Sequence, residues 1–495
     1  MSTLLSPVSQ RTATPTATEA VPRRRWWALP VLLSAVFMTT LDFFIVNAVA
    51  PAARHDLGAG QSALQFVLIG YGLAYAIGLI TAGRLGDLFG PRRVFIVGLA
   101  LFTAASAACG AAPGVEVLIA ARIAQGIAAA LMGPQVLALL GLLYRGADRA
   151  RAFAWYGAAV GVAGTSGQAV GGLLLAMDPA GLGWRTCFLV NVPLGVAALA
   201  LTRLLPAGRR AARVGPERAG RGLDPTGTVL SATGLVALVL PLVVGREYGW
   251  PLWTWVSLLL SVPLLTGFLA HQRHRVTSGR SPLLDPAVFR DPGFARGLGS
   301  IGLLFGVSSG LTFVLSLFLQ EGRGMPPVAA GAVCTALNAA FLVASTCTAR
   351  LTSRLGQRLP VLGGAVLATG LLLTGWSASA VGSGGVPTGL VVGLAAAGAG
   401  MGLLMAPLTA SALAGVRSRL TGTAAGVLGT AQETAGVLGI AFTGLVFFGL
   451  LVPGGSAAPE AGAPAWLTAF RAALAVLALA ALAIAVLYRR RTAGR

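Results

Sequence analysis

Two apolar runs, at about 63–82 and 94–112, flank the segment Gly83-Arg84-Leu85-Gly86-Asp87-Leu88-Phe89-Gly90-Pro91-Arg92-Arg93. Each run is about 20 residues long, which is the length that a helix needs to cross a bilayer. Arginine, glycine and proline fill the segment between them, and these residues are typical of a short loop at a membrane surface. The sequence here predicts two membrane-spanning helices joined by a charged turn.

The whole chain has the composition of a membrane protein. Of its 495 residues, 56% are hydrophobic and only 10% are charged, and the mean hydropathy is +0.80. A soluble domain is about 25% charged. The composition therefore excludes a soluble enzyme. It predicts an all-α polytopic membrane protein, because open strands in lipid would leave backbone groups unpaired.

Apolar runs long enough to cross a bilayer recur fourteen times, and we number the corresponding spans 1 to 14 in chain order. We expect the spans at about 27–49, 63–82, 94–112, 117–143, 152–176, 186–204, 227–245, 252–270, 297–319, 329–349, 360–380, 386–413, 422–451 and 465–488. Spans 7 and 8 contain no charged residue, so we expect them to form a peripheral hairpin.

The basic residues predict the orientation of the chain. The formal net charge is +21, and apart from three histidines every basic residue is arginine. If the N-terminus is cytoplasmic, thirty of the 36 arginines fall in the tails or in loops that follow even-numbered spans. Cytoplasmic loops of membrane proteins carry such an excess. We therefore expect a multi-pass protein of the cytoplasmic membrane with both termini inside, its arginines facing anionic lipid and no nucleic acid.

The first quoted segment is repeated in the second half of the chain. Leu85-x-Asp87-x-Phe89-Gly90-x-Arg92 follows span 2, and Leu351-x-Ser353-x-Leu355-Gly356-x-Arg358 follows span 10, 266 residues later. We expect two six-helix bundles, spans 1–6 and 9–14, with spans 7 and 8 inserted between them. The expected division is a disordered cytoplasmic tail at 1–25, the N-terminal bundle at 26–205, a cytoplasmic loop with spans 7 and 8 at 206–272, a cytoplasmic linker at 273–295, the C-terminal bundle at 296–488 and a tail at 489–495.

Three ionisable residues lie deep in the apolar runs, where a charge is costly and calls for an explanation: Asp42, Arg122 and Glu433. Burial favours the neutral form of a carboxylic acid and a nearby arginine favours the charged form, so a moving contact between the two can exchange protons. We expect Asp42→Asn and Glu433→Gln to preserve folding. The structural alternatives are that Asp42 pairs with Asn47 and that Arg122 extends to the membrane surface.

Glycines and charges suggest two moving parts. In the segment Gly83–Arg93 we expect Gly83 and Gly90 to bracket a tight turn. Asp87, Arg92 and Arg93 would form a latch that holds one closed state of the protein. The alternative is a turn anchored by its positive charge. In span 5 we expect one smooth stripe on which a neighbouring helix slides or bends, with simple close packing as the alternative. The stripe consists of Gly161, Gly164, Gly167, Gly171 and Gly172.

Four segments resemble signatures of the fourteen-span drug:proton antiporters of the major facilitator superfamily. The first quoted segment is similar to the loop signature G-x-L-x-D-R-x-G-R-R, with Leu88 and Pro91 where the family has arginine. The other three are Leu41-Asp42-Phe43-Phe44-Ile45-Val46-Asn47-Ala48-Val49-Ala50-Pro51, similar to L-D-x-T-V-V-N-V-A-L-P; Arg122-Ile123-Ala124-Gln125-Gly126, similar to R-x-x-Q-G; and Trp184-Arg185-Thr186-Cys187-Phe188-Leu189-Val190-Asn191-Val192-Pro193-Leu194-Gly195, similar to W-R-W-I-F-L-I-N-V-P-I-G. In span 5, Gln168 stands where the family's antiporter motif has proline.

The resemblance implies proton-driven efflux of hydrophobic or cationic drugs by alternating access, in a monomer that is not an enzyme. Because the first and thirteenth helices of that family line the central cavity, it also implies that Asp42 and Glu433 face the transport pathway from opposite bundles. It implies no cofactor, since the proton gradient supplies the energy. A chain without lysine has no phosphate-binding G-x-x-x-x-G-K-[ST] loop, so transport driven by ATP on this chain alone is excluded. Two alternatives stay open: a proton-coupled transporter of one specific metabolite, and a polytopic membrane subunit without transport.

Overall fold

A computed structural model describes residues 26–205, 224–246, 248–280, 282–381, 386–414, 416, 421–451 and 462–492. Within these ranges fourteen helical segments are long and apolar enough to cross a membrane, which confirms the predicted number of spans. The helices are span 1 Ala28–Asp56, span 2 Gln61–Phe89, span 3 Pro91–Gly110, span 4 Val115–Leu143, span 5 Gly146–Met177, span 6 Thr186–Leu189 followed by Asn191–Leu201, span 7 Pro225–Val244, span 8 Leu252–Thr277, span 9 Pro292–Leu317, span 10 Pro327–Leu355, span 11 Leu359–Ser377, span 12 Thr388–Leu413, span 13 Thr421–Leu451 and span 14 Ala463–Thr492.

Span 2 is longer than its apolar run, and this corrects one expectation. The helix continues to Phe89, so Gly83 lies within it and does not bracket the turn. Gly90 alone makes the turn, with φ +88° and its amide donating to the carbonyl of Gly86 at 2.9 Å. Pro91 is the first residue of span 3. A backbone amide at this position has no acceptor within the helix, so proline is tolerated there.

The turn after span 10 has the same construction. Gly356 ends span 10 with φ +52°, and its amide donates to the carbonyl of Thr352. A positive φ is costly for residues with a Cβ, so both turns depend on glycine. The sequence repeat is therefore a repeated helix–glycine–helix turn. We call the end of the molecule with Gly90 and Gly356 the inner end, following the expected topology, and the opposite end the outer end.

The helices pack as two repeated bundles. Span 1 packs on span 5, span 4 on spans 2 and 3, and span 3 on span 6; spans 9, 13, 12, 10, 11 and 14 repeat the same pairs eight spans later. The bundles meet along two seams, one between spans 5 and 10 and one between spans 2 and 13, which the repeat also relates. Span 7 packs on span 8 and lies against spans 2 and 13, so the inserted hairpin is peripheral as expected.

Candidate functional site

The N-terminal bundle encloses a cluster of polar side chains, all of them fully buried: Asp42, Ser106, Arg122, Gln125 and Asn191. Arg122 forms a salt bridge with Asp42 through its Nη1 and the carboxylate Oδ2. The other carboxylate oxygen, Oδ1, accepts from Gln125 Nε2 at 2.9 Å and from Asn191 Nδ2 at 3.0 Å. Asp42 therefore receives donors from spans 4 and 6.

Two members of the cluster lie side by side on span 4, and hydrogen bonds join them to span 3 and, through Ser106, to span 6. Arg122 and Gln125 are three residues apart and share one face of span 4, and Arg122 Nη1 donates to Gln125 Oε1 at 2.6 Å. Gln125 and Asn191 also donate to Ser106 Oγ of span 3, at 2.7 and 3.4 Å. A buried ion pair persists where hydrogen bonds satisfy its remaining atoms. The network satisfies both carboxylate oxygens of Asp42, whereas Arg122 Nη2 and Asn191 Oδ1 have no hydrogen-bond partner among the described residues.

Span 2 holds the other side of Arg122. The guanidinium Nε donates to the carbonyl of Val67 at 3.1 Å, and its carbon lies 4.3 Å above the ring of Tyr71. A cation over an aromatic ring at this distance is attracted by it. Arg122 therefore connects span 1 with span 2 inside the bundle.

These contacts decide between the alternatives for the two residues. Asp42 lies inside the N-terminal bundle and does not face a pathway between the bundles, contrary to expectation. It does not pair with Asn47, whose Nδ2 donates instead to the carbonyl of Phe43 at 3.0 Å. Arg122 is fully buried and does not extend to the membrane surface. The face of span 1 that carries Asp42 packs against hydrogen-bond donors of spans 4 and 6. The sequence of a single helix does not show which neighbour such a face contacts.

Sequence reasoning missed three members of this cluster. Gln125 and Asn191 stand within two of the four recognised motifs, and each is an amide in an apolar run, which was the available signal. Ser106 gives no such signal, because it sits in a run of small residues where a hydroxyl is common. Three motifs from distant parts of the chain thus meet around one carboxylate.

Glu433 occupies a different place, on span 13 at the seam with span 2. Its side chain is half-buried. It lies within electrostatic range of Tyr71 and Tyr75 on span 2 and of Tyr156 on span 5. Tyr71 also covers Arg122, so this residue lies near both the buried ion pair and the carboxylate of the opposite bundle.

At the outer end both seams are closed. A Cβ at Gly172 of span 5 would lie 2.5 Å from the carbonyl oxygen of Pro327 on span 10. In the seam of spans 2 and 13, a Cβ at Gly444 would clash with Gln65 Nε2 near the outer end, and a Cβ at Gly72, near the middle of span 2, would lie 2.8 Å from Val437 Cγ2 on span 13. The backbones approach closely at these points because the glycines leave room for their neighbours.

Towards the inner end both seams open. Gly83 lies eleven residues, about three helical turns, after Gly72 and on the same face of span 2, yet a Cβ there would meet nothing within 4 Å. On span 5, Gly161 faces Leu342 Cδ1 of span 10 at 3.2 Å, whereas Gly157, one turn further inward, meets nothing. The bundles therefore enclose a gap that widens inward, and Glu433 lies one turn inward of the closed contact at Val437.

Polar contacts between the bundles hold the outer end closed. Arg54 Nη1, at the end of span 1, lies 2.6 Å from Glu321 Oε2 in the π-helical turn Phe318–Gly322 that extends span 9. Ser316 Oγ of span 9 donates to the carbonyl of Asn47 at 2.5 Å. Both contacts join the two bundles at the outer end.

The glycines of span 5 form two faces and not the single stripe we expected. Gly164, Gly167 and Gly171 face span 1, while Gly161 and Gly172 face span 10. Successive residues point about 100° apart around a helix, so neighbours such as Gly171 and Gly172 serve different partners. Span 5 consequently lies close to a helix of its own bundle and to a helix of the other bundle.

The expected latch residues lie at the inner end, where the gap is open. Arg92 Nη2 donates to the carbonyl of Thr202 at 3.3 Å, which is at the end of span 6 in the same bundle. Arg93 is exposed. The side chain of Asp87 lies outside the part of the chain that the structure describes. The latch stays a prediction.

Two repeated helical bundles with a gap that is open at one end and closed at the other define a membrane transporter. The chain belongs to the Major Facilitator Superfamily, which it matches over residues 32–440, and its fourteen spans agree with the family resemblance of its motifs. It is a multi-pass membrane transporter and not an enzyme.

The chain is similar to several named proteins and, in its fold, to solved structures. The chain is 39% identical to the "Probable actinorhodin transporter" of Streptomyces coelicolor, covering 89% of this chain and 75% of that protein. It is 36% identical to the "Puromycin resistance protein pur8" of Streptomyces alboniger (86% and 82% covered) and 32% identical to the "Multidrug resistance protein Stp" of Mycobacterium tuberculosis (83% and 74%). The fold is similar to that of a bacterial homologue of the human lysosomal transporter Spinster, with a TM-score of 0.64, 16% identity and 94% and 96% of the chains covered.

Proposed function

We propose that this protein exports hydrophobic or cationic drugs and antibiotics across the cytoplasmic membrane in exchange for protons. The observation that carries the proposal is Glu433, a half-buried carboxylate where the inward gap begins. Tyr75 and Tyr156 of the opposite bundle lie within electrostatic range of Glu433, and aromatic rings attract cations. The names of the relatives, which include drug and antibiotic resistance proteins, support the substrate class.

Competition at one carboxylate gives the simplest exchange. When Glu433 is deprotonated, its negative charge attracts a cationic substrate that enters the gap. When a proton binds, the charge is lost and so is the attraction, which releases the substrate on the other side. A proton and a cationic substrate cannot occupy Glu433 at the same time. This mutual exclusion makes the process an exchange.

In our proposal the buried ion pair of Asp42 and Arg122 is the second part of the coupling site. Arg122 and two amides donate to Asp42, and a rearrangement of span 2 around Tyr71 would change that set of donors. In our proposal Asp42 and Arg122 change their contact as the bundles rock. The latch residues Asp87, Arg92 and Arg93 then hold the inner end closed.

The proposal includes the topology and domain limits expected from the sequence. Both termini face the cytoplasm, the bundles comprise 26–205 and 296–488, and the monomer is the transporting unit. The gap then opens to the cytoplasm, where an exporter takes up its substrate.

A second candidate function is transport of one specific metabolite. It is favoured by the 39% identity to a relative that is named for a single compound. A panel of chemically unrelated dyes separates the candidates, because a specific transporter exports at most one of them.

The test measures accumulation of a fluorescent cation such as ethidium in cells with and without the protein. We expect lower accumulation with the wild-type protein, and a return to the control level after a protonophore. Glu433→Gln should abolish the difference. Glu116→Gln, which removes an exposed carboxylate at the outer end of span 4, should not. Equal accumulation with and without the protein across the dye panel would overturn multidrug export.

A further inference from the structure

The two seams between the bundles are equivalent in the repeat but not in their surroundings. Both open inward, at Gly157 in the seam of spans 5 and 10 and at Gly83 in the seam of spans 2 and 13. The difference lies in what covers each gap on the side of the lipid.

Span 7 covers the seam of spans 2 and 13 along its whole height. Near the outer end Ser62 Oγ of span 2 donates to the carbonyl of Val243 at 3.2 Å. Near the inner end the hydroxyls of Thr81 and Thr228 are 3.2 Å apart. These two contacts stand close to the two ends of span 7, a helix of 20 residues that is about 30 Å long.

A polar network fixes the inner end of this cover. Asp224, which caps span 7, accepts from Gln272 Nε2 of span 8 at 2.8 Å and lies 2.9 Å from His271 Nε2. Gln272 Oε1 accepts from the amide of Leu283 at 2.7 Å in the linker that follows. Span 7 is therefore held by span 8 and by the linker, as well as by span 2.

The seam of spans 5 and 10 has no comparable cover in the part of the chain that the structure describes. The helices that pack substantially on span 5 are spans 1, 4, 6 and 10, and those that pack on span 10 are spans 1, 5, 9, 11 and 12. All of them belong to the two bundles. Exposed side chains on these two helices include Trp155 of span 5, at 59%, and Val343 of span 10, at 64%.

We propose that hydrophobic substrates enter the gap sideways from the inner leaflet of the membrane, between spans 5 and 10. The hairpin of spans 7 and 8 closes the equivalent gap between spans 2 and 13. A compound dissolved in the lipid then reaches Glu433 through one seam only, while a water-soluble compound enters from the open inner end. This route rests on the proposed export function.

The first test asks which seam faces lipid and requires no transport. In a variant without the four native cysteines, a single cysteine replaces either Gly157 or Gly83 and carries a bimane fluorophore. Both sites leave space for the label, because a Cβ there meets nothing within 4 Å. The protein is placed in nanodiscs of phosphatidylcholine with or without brominated acyl chains, since bromine quenches a fluorophore only at short range.

We expect brominated lipid to quench the label at Gly157 several-fold more strongly than the label at Gly83. Equal quenching at both sites, or stronger quenching at Gly83, would overturn the proposal. This result does not depend on what the protein exports.

The second test blocks the seam. Gly157→Trp should reduce export of a strongly membrane-partitioning dye, such as a long-chain rhodamine ester, several-fold, with export of ethidium unchanged. Gly267→Trp is the matched control: it places the same side chain in open space on peripheral span 8 and should leave export of both dyes unchanged.

Equal loss of both dyes in the Gly157→Trp variant, or no loss of either, would overturn sideways entry even if the quenching is as expected. If the wild-type protein exports neither dye, the proposed function fails, and the quenching experiment alone then decides which seam faces the lipid.

Discussion

Arg122 and Asp42 stand 80 residues apart in the chain and form a salt bridge in which both side chains are fully buried. Removing the charge of one partner leaves the other buried and unpaired. Such a change costs about 3–5 kcal/mol in other proteins. The site proposed for coupling is therefore also a structural element of the N-terminal bundle.

The buried pair changes the expectation for Asp42→Asn. We now expect a clear fall in the melting temperature of the purified protein, because Arg122 keeps its charge and loses its counter-charge. The double variant with Arg122→Gln should recover part of the loss, and Glu433→Gln should melt close to the wild type. The measurement is thermal unfolding in detergent followed by tryptophan fluorescence. A wild-type melting temperature for Asp42→Asn would show that the amides satisfy Arg122 without the carboxylate.

The ion pair between Arg54 and Glu321 should stabilise the state that is closed on the outer side. A partly exposed pair contributes about 1 kcal/mol or less, so Arg54→Gln should raise the population of outward-open molecules several-fold at most. The readout is the rate at which an impermeant thiol reagent labels Ser316→Cys, whose position is buried where spans 1 and 9 meet near the outer end.

Arg185→Gln provides the control for this measurement. Arg185 pairs with Asp56 at 2.7 Å within the N-terminal bundle. Its substitution therefore removes an ion pair at the outer end that does not join the two bundles. Labelling of Ser316→Cys should stay at the wild-type rate in this background. Equal acceleration by both substitutions would contradict a specific role for the Arg54 pair.

The topology has a matched test in two exposed serines. Ser379 follows span 11 at the outer end, and Ser353 lies at the inner end of span 10. In intact cells, we expect an impermeant maleimide to label Ser379→Cys and to leave Ser353→Cys unlabelled until the cells are opened. The reverse pattern would invert the orientation derived from the arginines.

Asp224 should make the hairpin of spans 7 and 8 sensitive to acid. Burial raises the pKa of Asp224, but hydrogen bonds from the Gly227 amide, Gln272 and His271, together with the charge of Arg275, lower this pKa by more, and it lies below its ordinary value. A lowered pKa in the folded state stabilises the fold above the unfolded pKa of about 3.9. That contribution is lost as the pH falls through the folded pKa.

We therefore expect the difference in melting temperature between wild type and Asp224→Asn to shrink as the pH falls below about 4. The measurement is a series of melting curves from about pH 5 downward. A difference that grows as the pH falls below about 4 would contradict the assignment.

The spans were predictable from sequence because crossing a membrane is a local property. A helix satisfies its own backbone hydrogen bonds, so about 20 apolar residues suffice to predict it. The glycine turns were also local: Gly90 and Gly356 each end a helix with a positive φ, and the repeat of their surroundings appears in the sequence. The limits of the helices were less accurate, as span 2 shows, because the end of an apolar run does not end the helix.

The positions of side chains around each helix were decided by the tertiary structure. Asp42 was recognised as unusual, but whether it faces a gap, a neighbour or lipid depends on how span 1 is rotated against spans 4 and 6. The span 5 glycines separated into two sets for the same reason, since only the packed partners distinguish Gly171 from Gly172. Its apolar composition is enough to place a helix in the membrane. Because such a helix is almost equally apolar on all sides, its sequence does not specify which neighbouring helix each side contacts.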